Sequence, residues 1–379
     1  MNKEFLSMLE QLEREKGVKK EVLIEAVTHA LSIAAKKIAK ITSFEEDVRV
    51  EIDRDKGDIH VYIGEKEIVS KEFGRIAAQT ARQVIIQKIR EAEKENIYGE
   101  FKEKIGSIVG GVVYRVESRA VILDLLGKVE GIIPKSFLSP LDKLRMGERV
   151  KAFVFDVKKE KGPQIILSRR HEGLVKKLFE LEVPEIYEGI VEIKSIAREA
   201  GERTKIAVFS KDEKVDSVGA CVGIRGSRVK SIIEELRGEK IDIVRWSEDI
   251  KEFIKAALAP AVVSKIELDR DNKRAKVLVA NDQLSLAIGR RGQNVRLASK
   301  LLKWEIDVRS KEALEDEIKN LGKIKSIGKK IASVLVDAGY RNMEAVAKAD
   351  EKVLSKLKGI GLKKAKSIIK EANKAIGEK

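Results

Sequence analysis

Cysteine and histidine are almost absent from this sequence. Its single cysteine, Cys221, cannot form an internal disulfide, and its three histidines, His29, His60 and His171, lie too far apart for metal-ligand spacing. We therefore expect a cytoplasmic protein with neither a metal ion nor another cofactor. With so little His and Cys, an enzyme would depend on Asp, Glu or Lys chemistry, and no motif places such residues together. The sequence predicts a protein that is not an enzyme.

Long apolar runs are missing as well. No stretch approaches the ~18 uncharged apolar residues of a membrane span, and residues 1–20 alternate apolar and charged residues, unlike a secretion signal. The nucleotide-binding pattern G-x-x-x-x-G-K-[ST] is not found, since Gly322 and Gly328 are one residue too far apart and Lys330 replaces the hydroxyl residue. We expect neither a membrane anchor nor nucleotide hydrolysis.

Charge, by contrast, is plentiful and unevenly distributed. The chain has 77 Lys and Arg against 62 Asp and Glu, a net charge of +15. Residues 1–102 hold 19 basic and 20 acidic side chains, whereas residues 103–379 hold 58 and 42. A basic surplus of this size favours a polyanionic partner, first of all nucleic acid. The neutral first hundred residues are expected to bind protein instead.

The first hundred residues combine helical and strand periodicity. Apolar residues recur at helical spacing in two segments, alternate in a third around the turn Asp55-Lys56-Gly57-Asp58, and return to helical spacing in a fourth that becomes polar past Arg90. We predict an α/β head over residues 1–104, its last helix ending as a polar connector. The four segments are Lys3–Leu12, Glu21–Ile41, Val48–Ile63 and Phe73–Lys104.

Five short strands follow and predict an OB-fold β-barrel over residues 105–171. They are Ser107–Val116, Ala120–Leu126, Gly131–Pro134, Arg149–Val157 and Gln164–Ser168. The segments GGVVYRV, GKVEGIIP and GPQIILSRR resemble the RNA-binding barrel first described in a large ribosomal protein.

Barrels of that kind usually carry surface aromatic side chains on their second and third strands, where bases stack. Here Val121 and Ile122 take those places, and Tyr114 is the nearest remaining candidate. We expect Phe153 and Phe155 to pack in the barrel interior or against it. The barrel is then expected to contact RNA electrostatically through Arg169 and Arg170.

An internal repeat occupies the centre of the chain, where two G-x-x-G tetrapeptides begin at Gly223 and Gly289. Both copies read α-β-β-α-α-β, with the tetrapeptide between the last two helices. This order is that of a bacterial-type (type II) KH domain, and it predicts two such domains in tandem, at residues 172–247 and 248–310. The four residues Trp246–Asp249 between them are too few for free rotation, and we expect Trp246 and Trp304 to pack rather than to stack on bases.

The two tetrapeptides and the helix starts behind them are the predicted RNA site. A turn without side chains lets a sugar-phosphate backbone approach, helix amides point at the phosphate, and arginines add charge. The competing interpretation, a glycine turn that merely joins two helices, is weakened by the pairing. The predicted RNA-binding residues are Gly223, Ile224, Arg225, Gly226, Ser227 and Arg228 in the first copy, and Gly289, Arg290, Arg291, Gly292, Gln293, Asn294 and Arg296 in the second.

Residues 320–379 hold 15 basic and six acidic side chains. The segments IKSIGKKIASVL and LKGIGLKKAKSII both place an apolar residue and glycine between helices, which predicts an all-α helix-hairpin-helix module. Gly328, Gly359, Ile360 and Gly361 are its candidate docking residues, with either nucleic-acid phosphates or a protein as the partner. The charged stretch Ser310–Lys319 is interpreted as a linker.

In this sequence the barrel comes before two KH domains, and no phosphorolytic core is found. This domain order narrows the choice of protein family. The segments VDSVGACVGIRGSRV, IDIVRWSED and AIGRRGQNVRLASKL are similar to the most recognisable parts of the NusA family of bacterial transcription elongation, termination and antitermination factors. The resemblance covers mainly residues 106–310.

That resemblance implies a monomeric accessory factor whose head binds RNA polymerase while the barrel and KH domains hold single-stranded nascent RNA. It implies effects on pausing, termination and, with other transcription antitermination factors, antitermination. The alternative is an RNA-binding ribosome-assembly or translation factor built from the same modules.

Overall fold

The structure is a computed structural model and describes residues 3–38, 48–53, 58–67, 71–125, 127, 129–159 and 164–377. The chain forms two compact units, one of residues 1–138 with 144–171 and one of residues 139–143 with 172–379. Within the described ranges, no helix has both the length and the apolar composition needed to cross a membrane.

The head combines three helices with a three-stranded antiparallel sheet in the order β1-β2-β3. Its elements are α1 (Lys3–Lys16), α2 (Lys20–Ile38), β1 (Val48–Ile52), β2 (Ile59–Ile63), β3 (Lys66–Glu67) and α3 (Lys71–Glu103). The predicted hairpin pairs Val48 with Ile63 and Ile52 with Ile59. Residues 55–57 of its predicted turn, and 39–41 of the second predicted helix, lie outside the described residues.

The barrel closes from five strands in the order β4-β5-β6-β8-β7, which confirms the OB fold. The strands are β4 (Ile108–Val116), β5 (Ala120–Leu125), β6 (Val129–Pro134), β7 (Arg149–Lys158) and β8 (Gln164–Ser168), and a 3-10 turn follows β6 at Lys135–Phe137. All neighbouring strands are antiparallel except β6 and β8. The core residues alternate on β5 at Val121, Leu123 and Leu125, and on β7 at Val150, Ala152 and Val154, until an irregularity before Asp156 shifts the register.

The end of α3 differs from the polar connector that the sequence suggested. Phe101 is buried among the core side chains of the barrel, and Ile97 and Tyr98 pack against the same cluster. Lys159, which follows β7, forms an ion pair of 2.8 Å with Glu95. In the sequence, three apolar residues within one helical turn were too few, among so many charges, to predict a packed helix. In the structure they are sufficient to pack the end of α3 against the barrel.

Each repeat forms a three-stranded sheet with helices on it, as the KH prediction required. The first contains α4 (Glu172–Glu182), α5 (Pro184–Tyr187), β9 (Val191–Glu199), β10 (Arg203–Ser210), α6 (Ser217–Val222), α7 (Ser227–Glu235) and β11 (Lys240–Arg245). The second contains α8 (Ile250–Leu258), β12 (Val263–Asp269), β13 (Arg274–Val279), α9 (Asn281–Ile288), α10 (Gln293–Leu302) and β14 (Glu305–Ser310). In both sheets the middle strand is antiparallel to the first strand and parallel to the last.

One apolar cluster joins the two KH domains. Ala197, Ala207 and Val244 of the first sheet belong to the same buried cluster as the core of the second domain. Trp246 and Trp304 pack against that cluster, and Trp246 lies edge-on to Phe209 with ring centroids 5.3 Å apart. Both tryptophans therefore pack inside the protein, as expected.

The tail is all α: α11 (Lys311–Leu321), α12 (Lys329–Asp337), α13 (Met343–Ala347), α14 (Glu351–Leu354) and α15 (Leu362–Gly377). The interpretation of residues 310–319 as a linker is wrong. Ser310 accepts a hydrogen bond from the amide of Ala313 as the N-cap of α11, and Leu314 and Ile318 pack on the tail core. Most of the surface of α11 is exposed and charged. Its few apolar residues therefore form only a weak pattern in the sequence, although they are enough to pack on the tail core.

Candidate nucleic-acid interface

Both G-x-x-G loops have the same backbone conformation. The first glycine has φ/ψ of 72°/175° at Gly223 and 74°/171° at Gly289, and the last has 78°/17° at Gly226 and 72°/16° at Gly292. The amide of the last glycine donates to the carbonyl of the first, at 3.1 Å in both loops. The repeat found in the sequence is thus a repeat of geometry.

The two glycines of each loop do different things. A Cβ on Gly289 would lie 2.8 Å from the backbone nitrogen of Asn294, and one on Gly223 would lie 2.8 Å from Cγ of Arg228. A Cβ on Gly292 would meet nothing within 4 Å, and one on Gly226 only side-chain atoms at 3.7 Å and beyond. The first glycine therefore lets the turn pack on its own helix, whereas the last keeps the outer surface of the turn bare.

The side chains at the loop tips face solvent. Ile224 is 86% exposed, and Arg225, Arg290 and Arg291 are exposed too. Among the described residues, these three guanidinium groups have no hydrogen-bond or ion-pair partner. Both α7 and α10 begin at a left-handed glycine without a side-chain cap from any described residue. A helix start without a side-chain cap, next to arginines that have no partner, is the chemistry of a phosphate site.

Other residues of the predicted site are already engaged inside the protein. The Nη1 of Arg228 donates to the carbonyl of Ala220 at 2.6 Å and to Glu185 at 2.9 Å. Asn294 is 4% exposed, and its Nδ2 donates to the carbonyls of Leu258 and Ala287 at 3.2 and 3.1 Å. These two side chains hold the loops in place, while Ser227 remains exposed at the start of α7.

Gln293 and Arg296 connect the second loop to the first KH domain. Arg296 donates to Glu199 from Nε at 2.6 Å and from Nη2 at 3.0 Å, and Gln293 donates to Glu199 and Glu202 at 3.0 and 2.7 Å. The hydrogen bond from Arg296, together with that from Gln293, lowers the pKa of Glu199 to about 2. The hairpin between β9 and β10 thus fixes the start of α10.

A buried ionic network supports that same hairpin. Glu239 is fully buried and accepts hydrogen bonds from Arg198, from the amide of Gly201 and from the hydroxyl of Thr204, at 2.6–2.9 Å. Although burial raises the pKa of Glu239, the hydrogen bond and charge of Arg198 hold that pKa below its usual value. The sequence offered no signal for this role, because an isolated Glu before a strand looks like any surface carboxylate.

Cys221 lies one residue before the end of α6, beside the first loop, and is buried. Burial raises the pKa of its thiol to about 12, so the thiol stays protonated and unreactive. Within the described part of the chain, no group of three His, Cys, Asp or Glu side chains is arranged to hold a metal ion.

Family comparisons cover nearly the whole chain in five pieces. The matching descriptions are the NusA N-terminal domain (residues 4–72 and 62–95), the S1 RNA binding domain (102–170), the NusA-like first KH domain (169–246), the NusA-like second KH domain (250–316) and the SAM-like helix-hairpin-helix tandem (318–374). The transcription termination/antitermination protein NusA of Halalkalibacterium halodurans is 46% identical over 85% of this chain and 91% of its own length. The chain belongs to the NusA family.

Two further NusA proteins show the same relationship. That of Bacillus subtilis is 43% identical over 85% of this chain and 94% of its own length, and that of Thermus thermophilus is 41% identical over 81% and 89%. The fold class predicted from the sequence is confirmed: NusA head, OB barrel, two KH domains and helix-hairpin-helix tail.

The candidate docking residues of this NusA tail are three glycines in turns and one buried isoleucine. Gly328 is the N-cap of α12, with an extended backbone at φ −81°, and Gly359 occupies a left-handed turn with φ +84° before Gly361 and α15. Ile360 is only 3% exposed and belongs to the tail core, so its side chain is not a contact surface. The backbone of these turns, and not Ile360, is what a partner would meet.

Proposed function

We propose that this protein is an RNA-binding transcription factor that docks on RNA polymerase through residues 1–104 and holds nascent single-stranded RNA through the barrel and the KH domains. It acts on pausing, termination and antitermination by binding alone, in the cytoplasm, as a monomer. The observation that carries the proposal is the pair of matching loops, each with a bare last glycine, an uncapped helix start and unpaired arginines.

The residue roles within this proposal follow from the contacts. Gly226 and Gly292 leave room for the sugar-phosphate backbone, and Arg225, Arg290 and Arg291 supply charge to it. Gly223 and Gly289, with Arg228 and Asn294 packed on them, set the shape of each turn. Ile224 and Ser227 face the same RNA strand. Gln293 and Arg296 contribute chiefly by holding the second loop against the first domain.

The division between head and body supports the polymerase half of the proposal. Residues 1–102 carry 19 basic and 20 acidic side chains, which gives RNA no electrostatic reason to prefer them. The head has an apolar core of its own, which includes Leu9, Leu23 and Leu31. Other transcription antitermination factors are further proposed partners. The tail stays open between nucleic-acid and protein docking.

The test uses the intact chain with both last glycines changed. Gly226→Asp with Gly292→Asp places a carboxylate where each phosphate would lie, in an αL position that has space for it. The matched control, Gly226→Asn with Gly292→Asn, has the same shape without the charge, and Asn tolerates this backbone conformation. We expect the Asp pair to lose at least about tenfold more RNA affinity than the Asn pair, measured by filter binding at fixed salt.

The same variants separate the functional alternatives. The Asp pair should still co-purify with RNA polymerase and should fail to lengthen pauses at a hairpin template. Equal RNA affinity in the Asp pair and the wild type, with an unchanged circular dichroism spectrum, would show the RNA assignment to be wrong. Recovery of ribosomal proteins without polymerase subunits on the tagged wild type would favour the ribosome-assembly alternative.

A further inference from the structure

Four rings form a cluster on the barrel, away from the strands where base stacking was sought. The Phe153 and His171 rings are stacked with centroids 4.6 Å apart and planes 12° apart. The Phe155 ring meets Phe137 edge-on at 4.8 Å and His171 edge-on at 5.7 Å. These centroid distances are those of favourable aromatic pairs, so the rings hold one another in fixed orientations.

Phe155 is the outward member of this cluster. Both phenylalanines pack in or against the barrel, as expected, but to different degrees: Phe153 is 8% exposed, whereas Phe155 packs edge-on against Phe137 and His171 and is still 43% exposed. Along β7 the barrel interior takes Val150, Ala152 and Val154, and the phenylalanines lie on the other face. Strand alternation therefore pointed Phe155 outward, but the sequence did not show that the neighbouring rings leave much of its surface open to solvent.

A lone exposed apolar side chain is ordinary on a protein surface, so the neighbours of Phe155 decide its role. Arg170, adjacent in sequence to His171, is exposed, and its Nη1 donates to the carbonyl of Ser136 at 3.4 Å, directly before Phe137. Lys135 is exposed on the same 3-10 turn. Residues 105–171 hold 13 Lys and Arg against seven Asp and Glu. The ring cluster is therefore bordered by positive charge.

We propose that Phe155, supported edge-on by Phe137 and His171, is a stacking platform for one base of single-stranded RNA, with Arg170 and Lys135 contacting the flanking phosphates. A flat, preorganised ring beside cations matches a nucleotide, whose base is apolar on its faces and whose phosphate is anionic. The platform rests on the proposed function, since it adds a contact to the RNA that the KH loops hold. It also places base stacking on β7 and not on β5, where Val121 and Ile122 are buried.

The test compares two exposed aromatic residues on the same barrel. Phe155→Ala should weaken binding of the full-length protein to a long unstructured RNA by about fivefold or more, the usual effect of removing a stacked ring. Phe155→Tyr keeps the ring and should bind as the wild type does. Tyr114→Ala is the matched control. Tyr114 is 56% exposed on β4 and was the nearest candidate for base stacking in the sequence, but it is not part of the ring cluster.

Two measurements show that the loss comes from stacking. The slope of log affinity against log salt should be unchanged in Phe155→Ala, because no phosphate contact is removed, and should fall in Arg170→Ala. An RNA of the same length built largely from abasic ribose phosphates should bind wild type and Phe155→Ala equally. Amide hydrogen exchange of peptides from the barrel checks that the barrel is intact in each variant.

Wild-type affinity for Phe155→Ala, or equal losses in Phe155→Ala and Tyr114→Ala, would overturn the platform. A loss of polymerase binding with unchanged RNA affinity would also overturn it and assign the patch to protein. Failure of the wild type itself to bind RNA would instead refute the proposed function. The two failures are therefore distinct.

Discussion

The unequal roles of the two glycines in the second KH loop make a quantitative prediction. In Gly289→Ala, the new Cβ would lie 2.8 Å from both the backbone nitrogen and the Cβ of Asn294, about 1 Å inside ordinary contact. The backbone there, at φ 74° and ψ 171°, is also one that only glycine adopts readily. Overpacking and backbone strain together should destabilise this region by about 2–5 kcal/mol.

Gly292→Ala should cost less. Its Cβ would meet no atom within 4 Å, and its φ/ψ of 72°/16° is the left-handed helical region, which costs an L-residue about 1–2 kcal/mol. A second consequence separates the two changes further. Any shift of Asn294 in Gly289→Ala disturbs the hydrogen bonds that its amide donates to Leu258 and Ala287, and with them the packing of α8 and α9 on α10.

Amide hydrogen exchange on the full chain is the appropriate assay, because a multidomain protein has no single unfolding transition. Peptides covering α9 and α10 should lose clearly more protection in Gly289→Ala than in Gly292→Ala, while peptides from the head should not change in either. RNA affinity should fall in both variants, for a structural reason in the first and for loss of close approach in the second. Equal loss of protection in the two variants would refute the division of roles.

Three further outcomes follow from the contacts. Glu239→Gln removes a fully buried carboxylate that is paired with Arg198 and should destabilise the first KH domain by about 3–5 kcal/mol in hydrogen exchange. Because the folded pKa of Glu239 is depressed, its contribution to the wild type is present above pH ~4.5 and is lost as pH falls below that. Glu199→Gln should increase exchange at the start of α10, whereas Glu192→Gln, which removes a half-buried carboxylate paired with Lys194 and Lys211 on the same domain, should not. Equal effects would contradict the role of Glu199 as a link between the domains. Residues 320–379 should bind duplex RNA weakly with a steep salt dependence, and binding of a polymerase subunit without any nucleic-acid affinity would select the protein-docking alternative for the tail.

The KH domains were the most predictable part of the fold, and the reason is physical. A tight turn between two helices restricts its residues so strongly that glycine recurs at fixed positions, and two copies 66 residues apart repeat the whole strand and helix pattern around it. The barrel was predictable for a similar reason, since its alternation has period two and its turns are short. Both patterns depend on residues that are close together along the chain, so they can be read from the sequence directly.

The features that the sequence did not reveal are contacts between distant segments. Gln293 and Arg296 follow the second loop, and their chemistry suits RNA; only the fold brings Glu199 to them, across 94 and 97 residues. Phe101 and Leu314 were concealed by the charges around them, because a helix that docks along a narrow stripe needs few apolar residues. Phe155 required knowledge of what covers a strand face, which depends on neighbours far along the chain.

These distant contacts also determine how the two RNA loops work together. Glu199 and Glu202 belong to the hairpin that Glu239 anchors through Gly201, so the second loop is attached to the buried charge network of the first domain. A shared apolar cluster adds to that attachment. These contacts restrict the movement of one loop relative to the other, so an RNA strand bound at one loop would meet the other at a fixed distance. Two KH domains joined by a flexible linker would lose conformational entropy when they bind one RNA strand. Here that entropy is already lost on folding, which favours RNA affinity without any additional contact.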